Sequence, residues 1–328
     1  MEIEDREKDE ERLTARIAEA MREALARDYP PAETRRDAHP KHLGLLEGRF
    51  TVEAGLPPEL QVGLFAQPRS YRAWIRTSSA SGRPQPDSRP DLRGFAIKVL
   101  DVDGEKIPES DEPRTQDFVL LSHPSMPLGT LRLFHDAIVL GLRYSFLLFV
   151  AKMLLTGRRH ILRELDAARI TPPSPLEIRY WSTTPYLFGR EAVVKYSLIP
   201  TSGTPSALPA TLGEHYLSEA MERRLSGEDV TFDFAVQFRK PGMSITDSGP
   251  RWDEAVSPFL KVATLTIPRQ TFRTSERDDL AEALSFSPGH ARAEHRPLGS
   301  INRARMKVYG ANSDFRHQRR GLPRLNGG

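Results

Sequence analysis

DSRPDLRGFAIKVLDVDGE, Asp87 to Glu105, divides into three parts. Its first residues close a long polar loop, SSASGRPQPDSRPD (Ser78–Asp91), crowded with turn formers. Gly94–Leu100 follows as a nearly unbroken apolar run, which predicts a buried strand. Asp101–Glu105 returns to turn residues. The neighbouring segments fit a sheet around this strand. Arg49–Val52 and Tyr71–Ile75 alternate polar and apolar residues, and Asp117–Leu121 is apolar enough to be buried.

Further along, the pattern changes twice. A helical region runs from Pro127 to about Ile170, and the proline-rich Thr171–Pro175 breaks it. Strands return at Ala192–Ile199, Phe232–Phe238 and Lys261–Ile267, with helices expected over Gly213–Leu225 and Glu276–Ala283. Residues 1–27 read as an amphipathic helix with Leu13, Ile17, Ala20 and Met21 on one face, ended by Pro30 and Pro31. Strands in both halves at hairpin-like spacing predict an α+β protein built on an antiparallel barrel with helical insertions, and argue against a parallel βαβ sheet. There is no internal repeat and no glycine-rich phosphate loop.

The chain has 328 residues, of which 38% are hydrophobic and 28% charged, enough for a large packed core in a soluble domain. It has no cysteine, which excludes disulfides, thiolate nucleophiles, iron–sulfur clusters and thiolate-ligated haem, and fits a cytoplasmic location. A net charge of +3 gives no reason to expect nucleic-acid binding. That charge is uneven: Glu2, Glu4, Asp5, Glu7, Asp9, Glu10 and Glu11 lead the chain, and Arg303, Arg305, Lys307, Arg316, Arg319, Arg320 and Arg324 end it. The acidic start lacks the basic-then-apolar order of a secretory signal. AIVLGLRYSFLLFVAKMLL, Ala137–Leu155, has nearly the length of a membrane span. Arg143 and Lys152 interrupt it, so it is read as a buried helix or one seated peripherally at a membrane surface.

Few residues suggest chemistry by themselves. Arg305 and Tyr309, four apart on a predicted helix, share one face. A guanidinium beside a phenol favours the phenolate, a ligand ferric haem accepts; the same pair also suits an ordinary helix surface. His39 and His42 flank Pro40 without the carboxylate of a metalloprotease motif. His123 marks a turn, and His290 and His295 fall in a loop.

Several stretches in order resemble the catalase superfamily. RRDAHPKHLG (Arg35–Gly44) is similar to its distal-histidine segment, with Arg36, His39 and Gly44 in place. WIRTSSASG (Trp74–Gly82) offers Arg76 and Ser78, two residues apart. The opening stretch carries the hallmark D-x-R-G-F-A-x-K as Asp91, Arg93, Gly94, Phe95, Ala96 and Lys98. QDFVLLSHPSM (Gln116–Met126) resembles the strand leading to the distal pocket. EHRPLGSINRARMKVYGANSDFR (Glu294–Arg316) resembles the proximal segment, with R-x-x-x-Y at Arg305 and Tyr309 and a further arginine at Arg316.

The resemblance implies an eight-stranded antiparallel β-barrel with helical insertions, divided as an N-terminal helical arm (1–32), a haem domain (33–320) and a tail (321–328). It implies haem b, with Tyr309 as the iron's proximal ligand kept ionised by Arg305. Arg36, Arg76 and Arg316 would take the propionates. His39 would be the general base and acid, and Ser78 would fix its tautomer. Efficient catalases carry a distal asparagine in a run such as N-N-T-P. Here Leu121, Ser122, His123 and Pro124 stand there, and Ser122 is the substitute expected in the catalytic group. Ala38 before His39 leaves room above the iron. The resemblance therefore points to a minimal, catalase-related enzyme of organic or fatty-acid hydroperoxides, similar to organic-hydroperoxide peroxidases and coral allene oxide synthase-like enzymes, with hydrogen peroxide scavenging or a non-catalytic haem module as alternatives. A lipid-derived substrate and a homodimer are the expected partners.

Overall fold

A computed structural model describes residues 4, 6–201, 203, 206–323 and 325. Among these are nine strands: β1 (Lys41–Val52), β2 (Ser70–Ser79), β3 (Arg93–Val99), β4 (Gln116–Leu121), β5 (Tyr180–Trp181), β6 (Tyr186–Phe188), β7 (Ala192–Pro200), β8 (Val230–Phe238) and β9 (Phe259–Ile267). The seven α-helices are α1 (Glu10–Asp28), α2 (Leu131–Arg143), α3 (Phe146–Leu155), α4 (Arg159–Ala167), α5 (Tyr216–Gly227), α6 (Ser275–Ala283) and α7 (Ser300–Arg320). Arg324, in the basic tail, lies outside the described residues, as do Glu2 and Asp5 of the acidic start.

All strand pairs are antiparallel, in the order β5-β4-β3-β2-β1-β9-β8-β7-β6. The short β5 also pairs with β7, through Tyr180 opposite Leu198, so eight strands close into a barrel and β6 extends it beside β7. Closure leaves the barrel no free edge to template aggregation. The interior is filled by side chains, with Phe50, Phe65, Phe118, Tyr196 and Phe234 meeting ring to ring at centroid distances of 4.6–6.3 Å.

The continuous apolar reading of β3 has a structural cause. Phe95, Ile97 and Val99 point into the barrel core, while Gly94, Ala96 and Lys98 face outward under further chain. A strand covered on both sides has no solvent face to alternate towards.

The helical region differs from its sequence reading in one respect. The stretch 137–155 is not one helix. Tyr144 leaves helical geometry (φ −130°, ψ −90°), and Ser145 caps α3 by accepting from the Leu147 amide at 3.2 Å. No helix among the described residues is long and apolar enough to cross a membrane. The leading helix begins at Glu10 and packs on its own chain. Leu13, Ile17 and Met21 meet Leu131 of α2 and Ala304 and Val308 of α7. Its acidic turn is tied to α7 through Arg303, which meets Glu10 at 2.6 Å.

Candidate functional site

The residues of D-x-R-G-F-A-x-K do separate jobs around one cavity. Asp91 accepts from the Ser81 amide (3.0 Å) and the Gln85 side chain (3.1 Å). The buried Arg93 guanidinium donates to Ser79 Oγ (2.6 Å) and to the carbonyls of Asp87, Arg89 and Ile170. Together they knit the polar loop onto the barrel. Gly94 leaves space: a Cβ there would stand 2.6 Å from His39 Nδ1 and 2.7 Å from Ser78 Oγ. Any other side chain would displace the histidine, which is why this strand carries a glycine. Ala96 walls the cavity, Phe95 turns its ring to the barrel core behind it, and Lys98 enters a buried ion network beyond.

The cavity has a volume of about 310 Å³ and lies between the outer face of β2–β4, the segment before β1, the segment after α6, and α7. That volume falls at the lower end of small-molecule pockets, about 300–1,000 Å³. Of the side chains singled out from the sequence, Arg36, His39, Arg76, Ser78, Tyr309 and Arg316 line it together. Ser78 reaches it because β2 extends to Ser79, four residues beyond the alternation first read there and into what reads as loop.

His39 is held in a left-handed backbone conformation, φ +55°, uncommon for a residue with a side chain. Arg76 donates to its carbonyl at 2.8 Å, fixing that turn. Its Nδ1 meets Ser78 Oγ at 2.9 Å, while Nε2 has no partner among the described residues. Burial, reinforced by the charges of Arg76, Arg305 and Arg36, pushes the imidazole pKa down to about 3. It is therefore a neutral base at ordinary pH.

Tyr309 comes from α7, with Arg305 one turn earlier donating from Nε to its oxygen at 3.3 Å. Burial would lower the pKa of Arg305, but Tyr309 and Tyr186 raise it by attraction and hydrogen bonding. Asn302 Oδ1 (3.2 Å) and Thr184 Oγ1 (3.4 Å) hold its other arm.

The third feature is an excess of positive charge. Arg36, Arg76 and Arg316 converge with Arg320 on Glu282 and Asp37, four guanidiniums against two carboxylates. Burial depresses the pKa of Arg36 and Arg76, and brings Arg316 down to about 9; mutual repulsion adds to each. Burial raises Asp37, while the surrounding arginines overcome burial and lower Glu282. Nε of Arg36, Arg76 and Arg316, and Nη2 of Arg316, are buried with no hydrogen-bond partner among the described residues. Buried donors without acceptors are costly, so a group that brings acceptors to these nitrogens would be favoured here.

Ser122 does not join the group. Its hydroxyl accepts from the Arg93 amide at 2.9 Å, and its own amide donates to the Arg93 carbonyl, a clasp between the ends of β3 and β4. His123 points to Ser125 and Arg251. The run Leu121–Pro124, where an asparagine was sought, does not line the cavity; β4 reaches it at Val119 and Leu120, and no asparagine is among its described lining residues.

The sequence reading missed the far end of the cavity, where Glu109, Asp111 and His290 contribute. His290 Nδ1 meets Asp117 at 2.7 Å and its Nε2 meets Asp111 at 2.8 Å. Lys98 Nζ sits among Glu112, Asp117 and His290, so a cation already fills this group of ligand-type side chains. Burial opposes charge on His290, but Asp117 overrides it and raises the pKa to about 9. A raised histidine pKa contributes stability that is full below the unfolded value of about 6.5 and lost as pH rises through the folded value. The melting temperature is expected to fall between pH 6.5 and about 9 and the slope to flatten in His290→Gln, as read by calorimetry. The signal was invisible locally because Asp117 lies 173 residues away. His295, the other loop histidine, is buried and accepts from the Leu64 amide, a structural role.

No protein-family model matches the chain, and no curated protein sequence matches it. Solved structures do. A fungal catalase superposes with a TM-score of 0.67 at 17% identity, over 89% of this chain and 60% of its own. Catalase A of Saccharomyces cerevisiae gives 0.68 at 16% identity, over 89% and 64%. A bacterial catalase gives 0.65 at 17%, over 91% and 60%. The fold is that of the catalases. The chain spans somewhat under two thirds of the length of these three. The eight-stranded barrel expected from the sequence is the one observed.

Proposed function

We propose that this protein binds haem b in the cavity between His39 and Tyr309 and acts on hydroperoxides, preferring organic or fatty-acid hydroperoxides to hydrogen peroxide. The observation that carries the reading is the set of unpartnered nitrogens on Arg36, Arg76 and Arg316, in the cavity that Tyr309 and His39 share. Guanidinium donors of this kind suit carboxylates such as the two propionates. Ala96, Val119 and Phe286 supply apolar wall for a macrocycle, and the Tyr309 oxygen, held by Arg305, is a donor of the kind ferric iron takes as a ligand. Bound haem would supply the redox chemistry of O–O cleavage.

The chain's own residues supply the proton handling. With Nδ1–H donating to Ser78, His39 presents a lone pair on Nε2 and can take a hydroperoxide proton, hold it, and return it to the leaving oxygen. Ala38 leaves room beside it, and the apolar Val119 gives little polarisation to a small peroxide but accepts a hydrocarbon chain. The enzyme would then work either as a peroxidase with a reducing co-substrate or by rearranging or cleaving the hydroperoxide. The test compares haem-loaded protein on a fatty-acid hydroperoxide and on hydrogen peroxide. Faster loss of the lipid hydroperoxide is expected. Rapid oxygen release from hydrogen peroxide would make it a catalase, and a bound haem inert to both would make it a non-catalytic haem module.

A further inference from the structure

The break at Tyr144 turns α3 into an apolar helix with one covered side. Phe149 and Met153, one turn apart, pack on Leu133, Ala137 and Ile161. Opposite them, Leu147, Ala151 and Leu154 follow one another at helical spacing, flanked by Leu148 and Leu155. Leu147 is 74% exposed and Leu155 88%. Of ten large hydrophobic side chains exposed among the described residues, six lie between Tyr144 and Leu155. Scattered surface leucines need no explanation; a contiguous patch of this kind marks an interaction surface.

The charges around the patch decide its partner. Arg143 and Lys152, inside the apolar stretch, are neutralised within the chain: Arg143 by Glu19 and Glu23 at 2.8 Å, Lys152 by Asp136 at 2.7 Å. Arg158, Arg159 and Arg163, just beyond α3, are exposed and have no ion pair among the described residues. An apolar helix face with a rim of free guanidiniums matches the two layers of an anionic membrane surface, hydrocarbon within and phosphate at the edge.

We propose that α3 and the arginines following it seat this protein on an anionic lipid surface, with α3 lying in the plane of the interface. The surface is narrower than the 137–155 stretch read from sequence, because residues 131–143 are committed to α1 and α7. This does not rest on the haem reading, since vesicle binding needs no cofactor.

The test is flotation of the full chain with vesicles of phosphatidylcholine plus phosphatidylserine and of phosphatidylcholine alone. Flotation is expected with the mixed vesicles and much less with phosphatidylcholine. Leu147→Asp and Leu155→Asp should each lower partitioning about tenfold or more, because each removes a buried aliphatic chain from the interface. Arg158→Glu with Arg159→Glu should remove the phosphatidylserine dependence. These side chains are exposed, so the variants are expected to keep the wild-type melting curve. Absence of flotation on both compositions, or flotation indifferent to the leucine substitutions, would overturn the proposal. So would a homodimer on size exclusion that Leu155→Asp dissociates while vesicles are ignored, since that assigns the patch to a second copy.

Discussion

His39→Ala is expected to lower kcat on a hydroperoxide by about 10²–10⁴-fold, the usual contribution of a positioned general acid–base, with haem content unchanged. Among the described residues lining the cavity, the imidazole is the one base with an unpartnered nitrogen, and its position depends on three neighbours: Arg76 on its carbonyl, Ser78 on Nδ1, and the missing side chain of Gly94. The pH profile separates this role from a merely structural one. A folded pKa of about 3 keeps His39 neutral far below the ordinary histidine range, so kcat/KM should show no acid limb near pH 6.5. A limb there that vanishes in His39→Ala would mean that the histidine titrates normally and is not sheltered. Single-turnover kinetics over a pH series reads both quantities.

Arg316→Met is expected to act in opposite directions on the two forms of the protein. Without haem, the substitution removes one of four clustered guanidiniums and two nitrogens that have no partner, so the melting temperature should rise. With haem, it removes a charge-assisted contact to a carboxylate, worth roughly 1.5–3 kcal/mol, or about ten- to a hundredfold in haem affinity. A melting curve and a haem titration on the same variant give both signs. Loss of stability in the haem-free protein, or unchanged haem affinity, would show that the cluster is a structural ion network and not a site for a dianion.

How much of this was legible in the sequence differed from residue to residue. The barrel was legible because its strands announce themselves locally, by alternation in β2 and by an unbroken apolar run in β3. Its eight-stranded closure was legible only through the resemblance, since the two-residue β5 that meets β4 and β7 is too short to leave a periodic signal. Arg36, Arg76, His39, Tyr309 and Arg316 could be picked out because each sits in a motif with fixed internal spacing. Ser122 was misplaced because a serine at the end of a strand serves equally well as a backbone clasp, and only the position of the Arg93 amide decides between the two. Glu282, which carries much of the counter-charge at the arginine cluster, and His290 were missed for one reason: their partners are brought near by the fold, not by the chain. The apolar stretch 137–155 was recognised, but its division at Tyr144 was not, because Tyr144 and Ser145 are not strong helix breakers and tertiary packing sets the turn.

The central claim is that Tyr309 holds a haem iron in this cavity, and the absorption spectrum of the protein titrated with haem, wild type beside Tyr309→Phe, tests it most directly. Saturable binding is expected in the wild type, with a high-spin ferric spectrum. In Tyr309→Phe that spectrum should be lost and haem affinity should fall by at least the roughly 10–100-fold typical of removing even a supporting group of a metal site. A wild-type protein that takes up no haem, or a Tyr309→Phe variant with an identical spectrum, would contradict it.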